Sequence, residues 1–226
     1  MRHLFVVAHP DDEALGAGAF MAEAAARGDK VAVLTLNSVD LTRYKETESQ
    51  LYDDMICSHQ MLGVSESHTR AYVDGDFGNC DHRSMVEDIE QTIREFQPDR
   101  VYTHHPSDIN HDHLVVFQSC MEAFRLWQRG REKVHPVTGF YLMEVLSSTD
   151  WGINPAVRDF HPNTYVPVKV ESLARKVEAL SCYENVMRDI PHPRTQQSIY
   201  ALARLRGGQS GVPYAEAFEC IFRLEV

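Results

Sequence analysis

The sequence VVAHPDDEALG, residues 6–16, lies close to the start of the chain. An apolar run typical of a buried strand ends there and passes directly into a histidine, a proline, two aspartates and a glutamate. Placing so much negative charge beside a buried strand costs free energy unless a positive partner compensates it. Strong helix formers follow over residues 14–27, up to a stop signal at Gly28, so the sequence predicts a strand, a charged turn and a helix.

The same alternation of short apolar runs and longer helical patterns continues along the chain. The patterns predict strands at residues 3–8, 30–36, 67–73, 100–104, 139–145 and 217–224, and helices at 14–27, 46–62, 85–96, 110–127 and 172–183. Helices of this length between strands imply parallel pairing through right-handed crossovers. We therefore predict an α/β fold in a single domain over residues 1–226, with a Rossmann-like, doubly wound, mostly parallel sheet and helices on both faces.

Composition narrows the classes of function. The 226 residues carry a formal charge of −11, which disfavours nucleic acid or an anionic membrane as a partner. No apolar run approaches the ~20 residues needed to cross a bilayer, and no small-residue cleavage site follows the first apolar run. A cytoplasmic protein without a membrane span is expected, and a homo-oligomer is compatible with the sequence.

The cysteines carry no recognisable pattern. They are five, an odd number, scattered along the chain and never in a C-x-x-C pair. Neither a disulfide framework nor a thiolate zinc site is indicated. Reduced, mostly packed thiols are expected.

A second polar cluster follows the strand predicted at residues 100–104. The stretch HHPSDINHDH, residues 104–113, holds four histidines within ten residues, interleaved with Asp108 and Asp112. In doubly wound sheets, ligands bind beyond the carboxyl ends of the strands. Because parallel strands bring those ends to one edge, we expect the two polar clusters to converge despite their separation in sequence.

The residue types in the two clusters favour a divalent metal. Zinc takes imidazole and carboxylate ligands, and a catalytic zinc site uses three of them and leaves a fourth position to water. His9, Asp12 and one histidine of the second cluster make that set. His113 ranks first among the four, because a side chain in the first turn of a helix points back toward the strand edge. Asp11 could then accept a proton from the bound water, and Asp112 could orient a neighbouring imidazole.

Two plainer explanations of the first cluster are weaker. Asp11 and Asp12 would both be favourable at a helix N-terminus, yet one acid suffices for a cap. The G-A-G at residues 16–18 resembles part of a dinucleotide site, but it lies inside the predicted helix, and carboxylates stand where a pyrophosphate would bind.

Three separated motifs make the chain resemble a known family. They are AHPDDE at residues 8–13, HPSDINHDH at 105–113 and RGGQSGVPYAEAF at 206–218. In this order they resemble the PIG-L/LmbE-type N-acetylglucosaminyl deacetylases, over residues 3–222. The resemblance implies a zinc-dependent hydrolase, with Fe²⁺ as an alternative metal, that removes the acetyl group of an amino sugar in a GlcNAc-type conjugate, a sugar nucleotide or an oligosaccharide.

The resemblance also assigns residues. It makes His9, Asp12 and His113 the zinc ligands and Asp11 the general base, in agreement with the chemical argument. A late histidine of the family assists the substrate carbonyl, and the best match here is His192, in IPHPR.

Two positions depart from the family pattern. Many members have H-x-x-H at the second site, where residues 110–113 read N-H-D-H, so the auxiliary role of the first histidine passes to His105, to His111 or to no residue. Many members also carry an arginine where this chain has Leu51.

Substrate contacts are expected from Asn110, Arg194 and Arg43, which would stand in for the missing arginine; Arg70 is a competing candidate. Two turn-rich segments, residues 74–83 and 147–162, could form the substrate rim, and Trp151 could stack on a sugar face.

Two other functions remain compatible with the sequence. One is a metal-dependent hydratase or lyase that acts on a carboxylic acid with the same frame. The other is a non-catalytic protein that binds a metal or a sugar nucleotide. Acetate release from N-acetylated sugars distinguishes the deacetylase from both.

Overall fold

A computed structural model of the chain describes residues 1–37, 48–129 and 133–225. The strands are β1 (Arg2–Val7), β2 (Lys30–Thr35), β3 (Glu66–Thr69), β4 (Arg100–His104), β5 (Gly139–Met143), β6 (Thr164–Pro167) and β7 (Ala215–Arg223). The helices are α1 (Asp12–Ala26), α2 (Glu48–Leu62), α3 (His82–Phe96), α4 (His111–Ala123), α5 (Leu126–Arg129), α6 (Val170–Leu180) and α7 (Gln196–Ser210). The strands form a seven-stranded sheet in the order β3-β2-β1-β4-β5-β7-β6.

The sheet is mostly parallel. The strands from β1 to β5 pair in parallel, whereas β7 runs antiparallel to both β5 and β6. The predicted class, an α/β fold with a doubly wound and mostly parallel sheet, is confirmed.

Side chains alternate along β1, so this strand contributes to two cores. Phe5 and Val7 pack with residues of α1, α2, α6 and α7 on one face. Leu4 and Val6 pack with residues of α3, α4 and α5 on the other face. A strand that is buried on both faces reads as a continuous apolar run, as β1 does. Among the described residues, no helix is long and apolar enough to cross a membrane.

The order of the strands places the two polar clusters side by side. From β1 the chain passes to β2 on one side, while β4 pairs with β1 on the other, with Phe5 opposite Tyr102. The order therefore reverses between β1 and β4, and the crevice at such a switch point is the usual ligand site of open α/β sheets. The first cluster leaves β1 and the second leaves β4 at this crevice.

Two elements were not predicted from the sequence. β6 is a four-residue strand that ends in proline at the sheet edge, beside β7. α7 buries a narrow stripe of Ile199, Ala203 and Gly207. The chain after α7 passes close to this face of the helix, so only small side chains fit at Gly207. A Cβ there would lie 2.6 Å from the carbonyl oxygen of Val212. Hydrophobic periodicity is therefore weak in α7.

The bounds of several other elements differ from the prediction by a few residues. The helix predicted at residues 110–127 ends at Ala123, and the short α5 follows it. The strand predicted at residues 67–73 ends at Thr69.

The expectation that all cysteines are free thiols was wrong. Cys57, in α2, and Cys182, just after α6, form a disulfide, with their Cα atoms 6.1 Å apart. Cys80, Cys120 and Cys220 are free. The bonded pair is separated by 125 residues in the sequence, and only the packing of α2 against α6 brings the two together.

We expect the Cys57–Cys182 disulfide to stabilise the fold by about 2–4 kcal/mol, because closing so long a loop restricts the unfolded chain. Urea unfolding with and without a thiol reductant measures this difference. The Cys57→Ser/Cys182→Ser variant is the control, since reductant should leave its midpoint unchanged. Equal midpoints for the native protein in the two conditions would contradict the prediction.

Candidate active site

A cavity of about 780 Å³ opens at the carboxyl ends of β1 and β4. Both polar clusters line it, together with the turn after β3, the loop after β5 and the segment between α6 and α7. The predicted rim is present in part, since Gly75, Ser147 and Trp151 belong to the lining. With Asn37 after β2 and Leu51 in α2, the cavity therefore gathers residues from seven separate parts of the chain.

His9, Asp12 and His113 meet at the base of this cavity. Asp12 Oδ2 lies 3.3 Å from His9 Nδ1 and 3.2 Å from His113 Nε2. One potential ligand atom from each residue lies within 4.8 Å of the other two, and all three residues are buried. The structure thus brings the three predicted ligands together, and two imidazoles with one carboxylate could hold a divalent cation.

Aspartates behind the imidazoles orient the two rings. His113 Nδ1 lies 2.8 Å from Asp108 Oδ2, and His9 Nε2 lies 2.9 Å from Asp74 Oδ1 and 3.1 Å from Asp112 Oδ2. An N–H directed at a carboxylate fixes the tautomer and leaves the lone pair on the opposite ring nitrogen. Both lone pairs then face Asp12, so the donor set fits a cation bound at that point.

The charge of the cluster also suits a cation. Burial lowers the pKa of His113, but Asp12 and Asp108 outweigh it and raise this pKa to about 9. Burial also lowers the pKa of His9, but its hydrogen bonds to three aspartates outweigh this effect and raise the pKa well above the usual value. Burial would raise the pKa of Asp12, yet His113 and His104 hold it well below its usual range. Since metals bind neutral imidazole, a divalent cation would take the place of these protons.

His104 is a buried histidine that contacts His113 and the backbone just after β1. Its ring stacks on His113 with the centroids 3.7 Å apart. Its Nε2 accepts a hydrogen bond from the Ala8 N–H at 2.9 Å, and burial lowers its pKa, so the neutral ring carries its proton on Nδ1. The Nε2 lone pair is therefore already used, which agrees with the preference for His113 as the ligand.

Asp11 lies beside the three predicted ligands in an unusual backbone conformation. Its φ is 105°, in the left-handed region that non-glycine residues rarely adopt. Its N–H donates to Glu13 Oε2 at 3.2 Å, and its Oδ2 accepts from Arg194 Nη1 at 2.8 Å. Burial raises the pKa of Asp11 to about 7, against the lowering effect of Arg194. Such a carboxyl group can exchange a proton near neutral pH.

Glu13 is the buried support of this conformation. Its Oε1 accepts from the Tyr183 hydroxyl at 3.1 Å and lies 3.4 Å from His59 Nε2. Because Tyr183, in the segment after α6, binds Oε1, the other oxygen of Glu13 is held toward the Asp11 N–H. Glu13 therefore acts on the backbone of Asp11 and not as a ligand.

His192 lines the same cavity. Its Nδ1 accepts a hydrogen bond from the Arg194 N–H at 3.1 Å, and its ring meets Trp151 with the centroids 5.3 Å apart. Partial burial and the nearby arginines lower its pKa. A neutral ring that accepts at Nδ1 carries its proton on Nε2, so His192 can donate a hydrogen bond there.

The predicted substrate residues have different surroundings. Arg43 lies outside the described residues. Asn110 lines the cavity and also caps α4, since its side chain accepts from the Asp112 N–H at 2.9 Å. Arg194 lines the cavity while it binds Asp11, and its Nε donates to Ser147 Oγ at 2.7 Å.

Of the other residues considered for the substrate site, some line the cavity and others lie away from it. Arg70 forms an ion pair with Asp88 at 2.8 Å, away from the cavity lining. Of the two histidines considered in place of Asn110, His111 lines the cavity, whereas His105 packs against Phe160 and lies 3.5 Å from Glu219. Leu51, where the family resemblance leads one to expect an arginine, also lines the cavity.

Sequence reasoning missed several residues of the site. Asp74, behind His9, comes from the turn after β3, and the motif of the second cluster did not reveal that Asp108 orients His113. Asn185 and Arg188 line the cavity from the segment after α6. A possible signal for Asp74 was its place in an Asp-Gly turn after a strand of the same sheet.

Comparison with known sequences identifies related proteins. Residues 4–124 match the family PIG-L, described as GlcNAc-PI de-N-acetylase. The uncharacterized deacetylase YaiS of Escherichia coli K12 is 32% identical over 130 residues, which cover 54% of this chain and 67% of YaiS. The 1D-myo-inositol 2-acetamido-2-deoxy-alpha-D-glucopyranoside deacetylase of Segniliparus rotundus is 27% identical over 165 residues, 55% of this chain and 50% of the relative. The match thus spans half the length of that deacetylase.

Solved structures share the fold. The conserved protein TT1542 of Thermus thermophilus has a TM-score of 0.80 at 23% identity, covering 99% of this chain and 96% of that one. The N,N'-diacetylchitobiose deacetylase of Pyrococcus horikoshii has a TM-score of 0.77 at 18% identity, with coverages of 97% and 83%. The 4-carboxy-2-hydroxymuconate hydratase GalB of Pseudomonas putida KT2440 also has 0.77, at 20% identity, with coverages of 100% and 98%. At these identities, the likeness establishes the fold.

The Asp108→Asn substitution should weaken Zn²⁺ binding about 10–100-fold, because it removes the carboxylate that orients His113. Competition with a chromophoric chelator measures the dissociation constant. Asp88→Asn is the matched control, since Asp88 pairs with Arg70 away from the cavity and should leave zinc affinity unchanged. An unchanged affinity in Asp108→Asn would show that the orienting carboxylate is dispensable.

Proposed function

The chain belongs to the PIG-L family of GlcNAc-PI de-N-acetylases, and on that premise we propose that it is a zinc-dependent hydrolase that removes the acetyl group of an acetamido sugar. One observation carries the proposal: the donor set of His9, Asp12 and His113 lies in the same cavity as Asp11, whose pKa is raised to about 7. A metal centre beside a proton acceptor is the arrangement that metal-assisted amide hydrolysis requires.

His9, Asp12 and His113 are the residues that would hold the metal. Bound there, a zinc ion supplies Lewis acidity, which polarises a carbonyl group and lowers the pKa of a water molecule. Zinc is proposed because two imidazoles and one carboxylate are a common catalytic zinc set. Fe²⁺ remains the alternative, since imidazole also suits iron.

Asp11 is proposed as the residue that moves the proton. Positive charge added beside it favours its ionised form, so the carboxylate can take a proton from the attacking water. The same group then returns that proton to the departing amine nitrogen of the sugar. Arg194, bound to Asp11 Oδ2, fixes the direction of the carboxylate during this exchange.

His192 is proposed to stabilise the negative charge that develops on the acetamide oxygen. A neutral ring with its proton on Nε2 can donate a hydrogen bond to that oxygen without carrying a full charge. Hydrogen bonds directed at developing charge contribute more to the transition state than to the bound substrate. The contact with Trp151 and the Arg194 N–H hold the ring in place.

The rest of the cavity is suited to a sugar. Trp151 is 43% exposed at the rim and offers an apolar face for stacking on a pyranose ring. Asn110 and Arg194 offer polar groups to the hydroxyls, and Arg43 remains a proposed contact. We propose a GlcNAc-type conjugate, a sugar nucleotide or an oligosaccharide as the substrate. The cytoplasmic location and a homo-oligomeric state stay predictions.

Acetate release is the test of the reaction. A panel of N-acetylated monosaccharides, sugar nucleotides and chito-oligosaccharides is incubated with the zinc-loaded protein, and acetate and free amine are measured together. Because a hydratase also has this fold, an unsaturated carboxylic acid is included in the panel. Hydration of that acid with no acetate from any sugar would reject the deacetylase.

Asp11→Asn should lower kcat for acetate release by about 10²–10⁴-fold, because it removes the proton acceptor, and should leave zinc bound. Asp12→Ala should lose both zinc and activity. Metal content after dialysis and acetate formation are measured on the same samples. Loss of zinc in Asp11→Asn would make Asp11 a ligand and contradict its role as the base.

A further inference from the structure

Helix α1 is interrupted one turn after it begins. Ala17 has φ −147° and ψ 15°, which is not helical, and it lies between Gly16 and Gly18. The front turn, residues 12–16, carries Asp12 and follows directly from Asp11. Both parts of the helix pack into the core, the front turn through Ala14 and Leu15. The direction of the front turn is therefore not set by the rest of α1 alone.

A buried ion pair bridges the interruption. Lys176 Nζ donates to the Leu15 carbonyl at 2.7 Å and to Glu216 Oε1 at 2.6 Å. The carboxylate of Glu216 in turn accepts from the Ala19 N–H at 3.3 Å and from the Phe20 N–H at 2.6 Å. In a regular helix the Ala19 N–H would donate to the Leu15 carbonyl. Here the ion pair connects the two parts of α1 instead: Lys176 binds the Leu15 carbonyl before the interruption, and Glu216 binds the Ala19 and Phe20 N–H groups after it.

The pair is anchored by two other elements of the fold. Lys176 belongs to α6 and Glu216 to β7, and their side chains are each only 6% exposed. The Lys176 stem lies so close to α1 that a Cβ at Gly18 would be 3.0 Å from Lys176 Cγ. Buried ion pairs add little net stability compared with well-packed apolar residues. The specific contribution of this pair is the geometry that it imposes on α1.

We propose that Lys176 and Glu216 are positioning residues for the metal centre. They fix the front turn of α1 relative to α6 and β7, and thereby keep Asp12 between His9 and His113. Leu15, which Lys176 binds, lies in the same turn as Asp12, so a shift of one moves the other. The inference rests on the metal centre of the proposed function and extends it to two residues outside the cavity lining.

A neighbouring ion pair provides a matched control. Arg206 Nε and Nη2 bind Glu144 at 2.7 and 2.5 Å, and both side chains are 14% exposed. Arg206 also binds Gln209, in its own helix. This second pair joins α7 to the chain just after β5.

Glu144 lies close enough to Lys176 and Glu216 for their charges to act on its pKa, and these three residues line one small pocket together with Arg206. The control therefore replaces both partners, as Arg206→Met/Glu144→Gln, so that no unpaired charge is left to draw Lys176 away from Leu15. Loss of this pair should cost stability without moving the front turn of α1.

The experiment compares Lys176→Met with Arg206→Met/Glu144→Gln. Zn²⁺ dissociation constants are measured by chelator competition below the melting temperature of each variant, and the visible absorption of bound Co²⁺ reports the geometry of the ligands. We expect Lys176→Met to weaken Zn²⁺ binding roughly tenfold or more, as loss of an orienting group does, and to alter the Co²⁺ bands. Arg206→Met/Glu144→Gln should show a lower melting temperature with native zinc affinity and native bands. Native affinity and bands in Lys176→Met would overturn the proposal.

Milder variants keep the proposal testable if Lys176→Met does not fold. Glu216→Gln retains one acceptor oxygen for α1 and should weaken Zn²⁺ binding in the same direction. Lys176→Arg retains the charge and the donor and should preserve more of the zinc affinity than Glu216→Gln does. Equal and native affinity in both variants would also overturn the positioning role.

The same measurements separate this inference from the proposed function. If His113→Ala weakens Zn²⁺ binding while Lys176→Met and Glu216→Gln do not, the metal centre stands and the positioning role fails. If the native protein binds no Zn²⁺, or if His113→Ala leaves its affinity unchanged, both proposals fail. Because binding is measured directly, the outcome does not depend on finding the sugar substrate.

Discussion

The rest of the site depends on one constraint, the concentration of buried carboxylate at the switch point between β1 and β4. Asp12 is inserted between two imidazoles whose far nitrogens are held by further aspartates. Such a group of charges is stable in a buried place only if positive charge compensates it. The histidines supply that charge as protons, and a divalent cation would supply it more completely. This need for positive charge explains three shifts: the pKa values of His9 and His113 are raised, and the pKa of Asp12 is lowered.

The surrounding fold holds the charged group in register. Asp112 binds His9 and also accepts from the Gly75 and Phe77 N–H groups, so it ties the turn after β3 to the start of α4. Glu13 supports the left-handed backbone of Asp11, and Arg194 orients its carboxylate. Precise geometry at a catalytic centre requires such support, because a shift of about 1 Å is enough to reduce a rate strongly. The site is thus a network that reaches from the sheet edge to the segment between α6 and α7.

Much of the fold and the centre of the site could be predicted from residue patterns. The apolar run of β1 and the alternation with helices gave the parallel core of the sheet, and the two clusters after β1 and β4 gave the convergence of His9, Asp12 and His113. The patterns did not predict α7, because its buried face includes the small residues Ala203 and Gly207 and therefore shows little hydrophobic periodicity. They also gave no sign that Cys57 and Cys182 would pair, because no local spacing records the packing of α2 on α6.

Local residue patterns specified the chemistry, that is, which residue types stand at the ends of which strands. They could do so because strand polarity and helix periodicity are local properties, visible within a few residues. Which group contacts which follows from the packing of distant elements: Asp108 contacts His113, Arg194 contacts Asp11, and Lys176 pairs with Glu216 across the interruption of α1. These partners lie between 5 and 183 residues apart. Their pairing depends on how α1, α6, α7 and β7 pack together, which no single stretch of the chain contains.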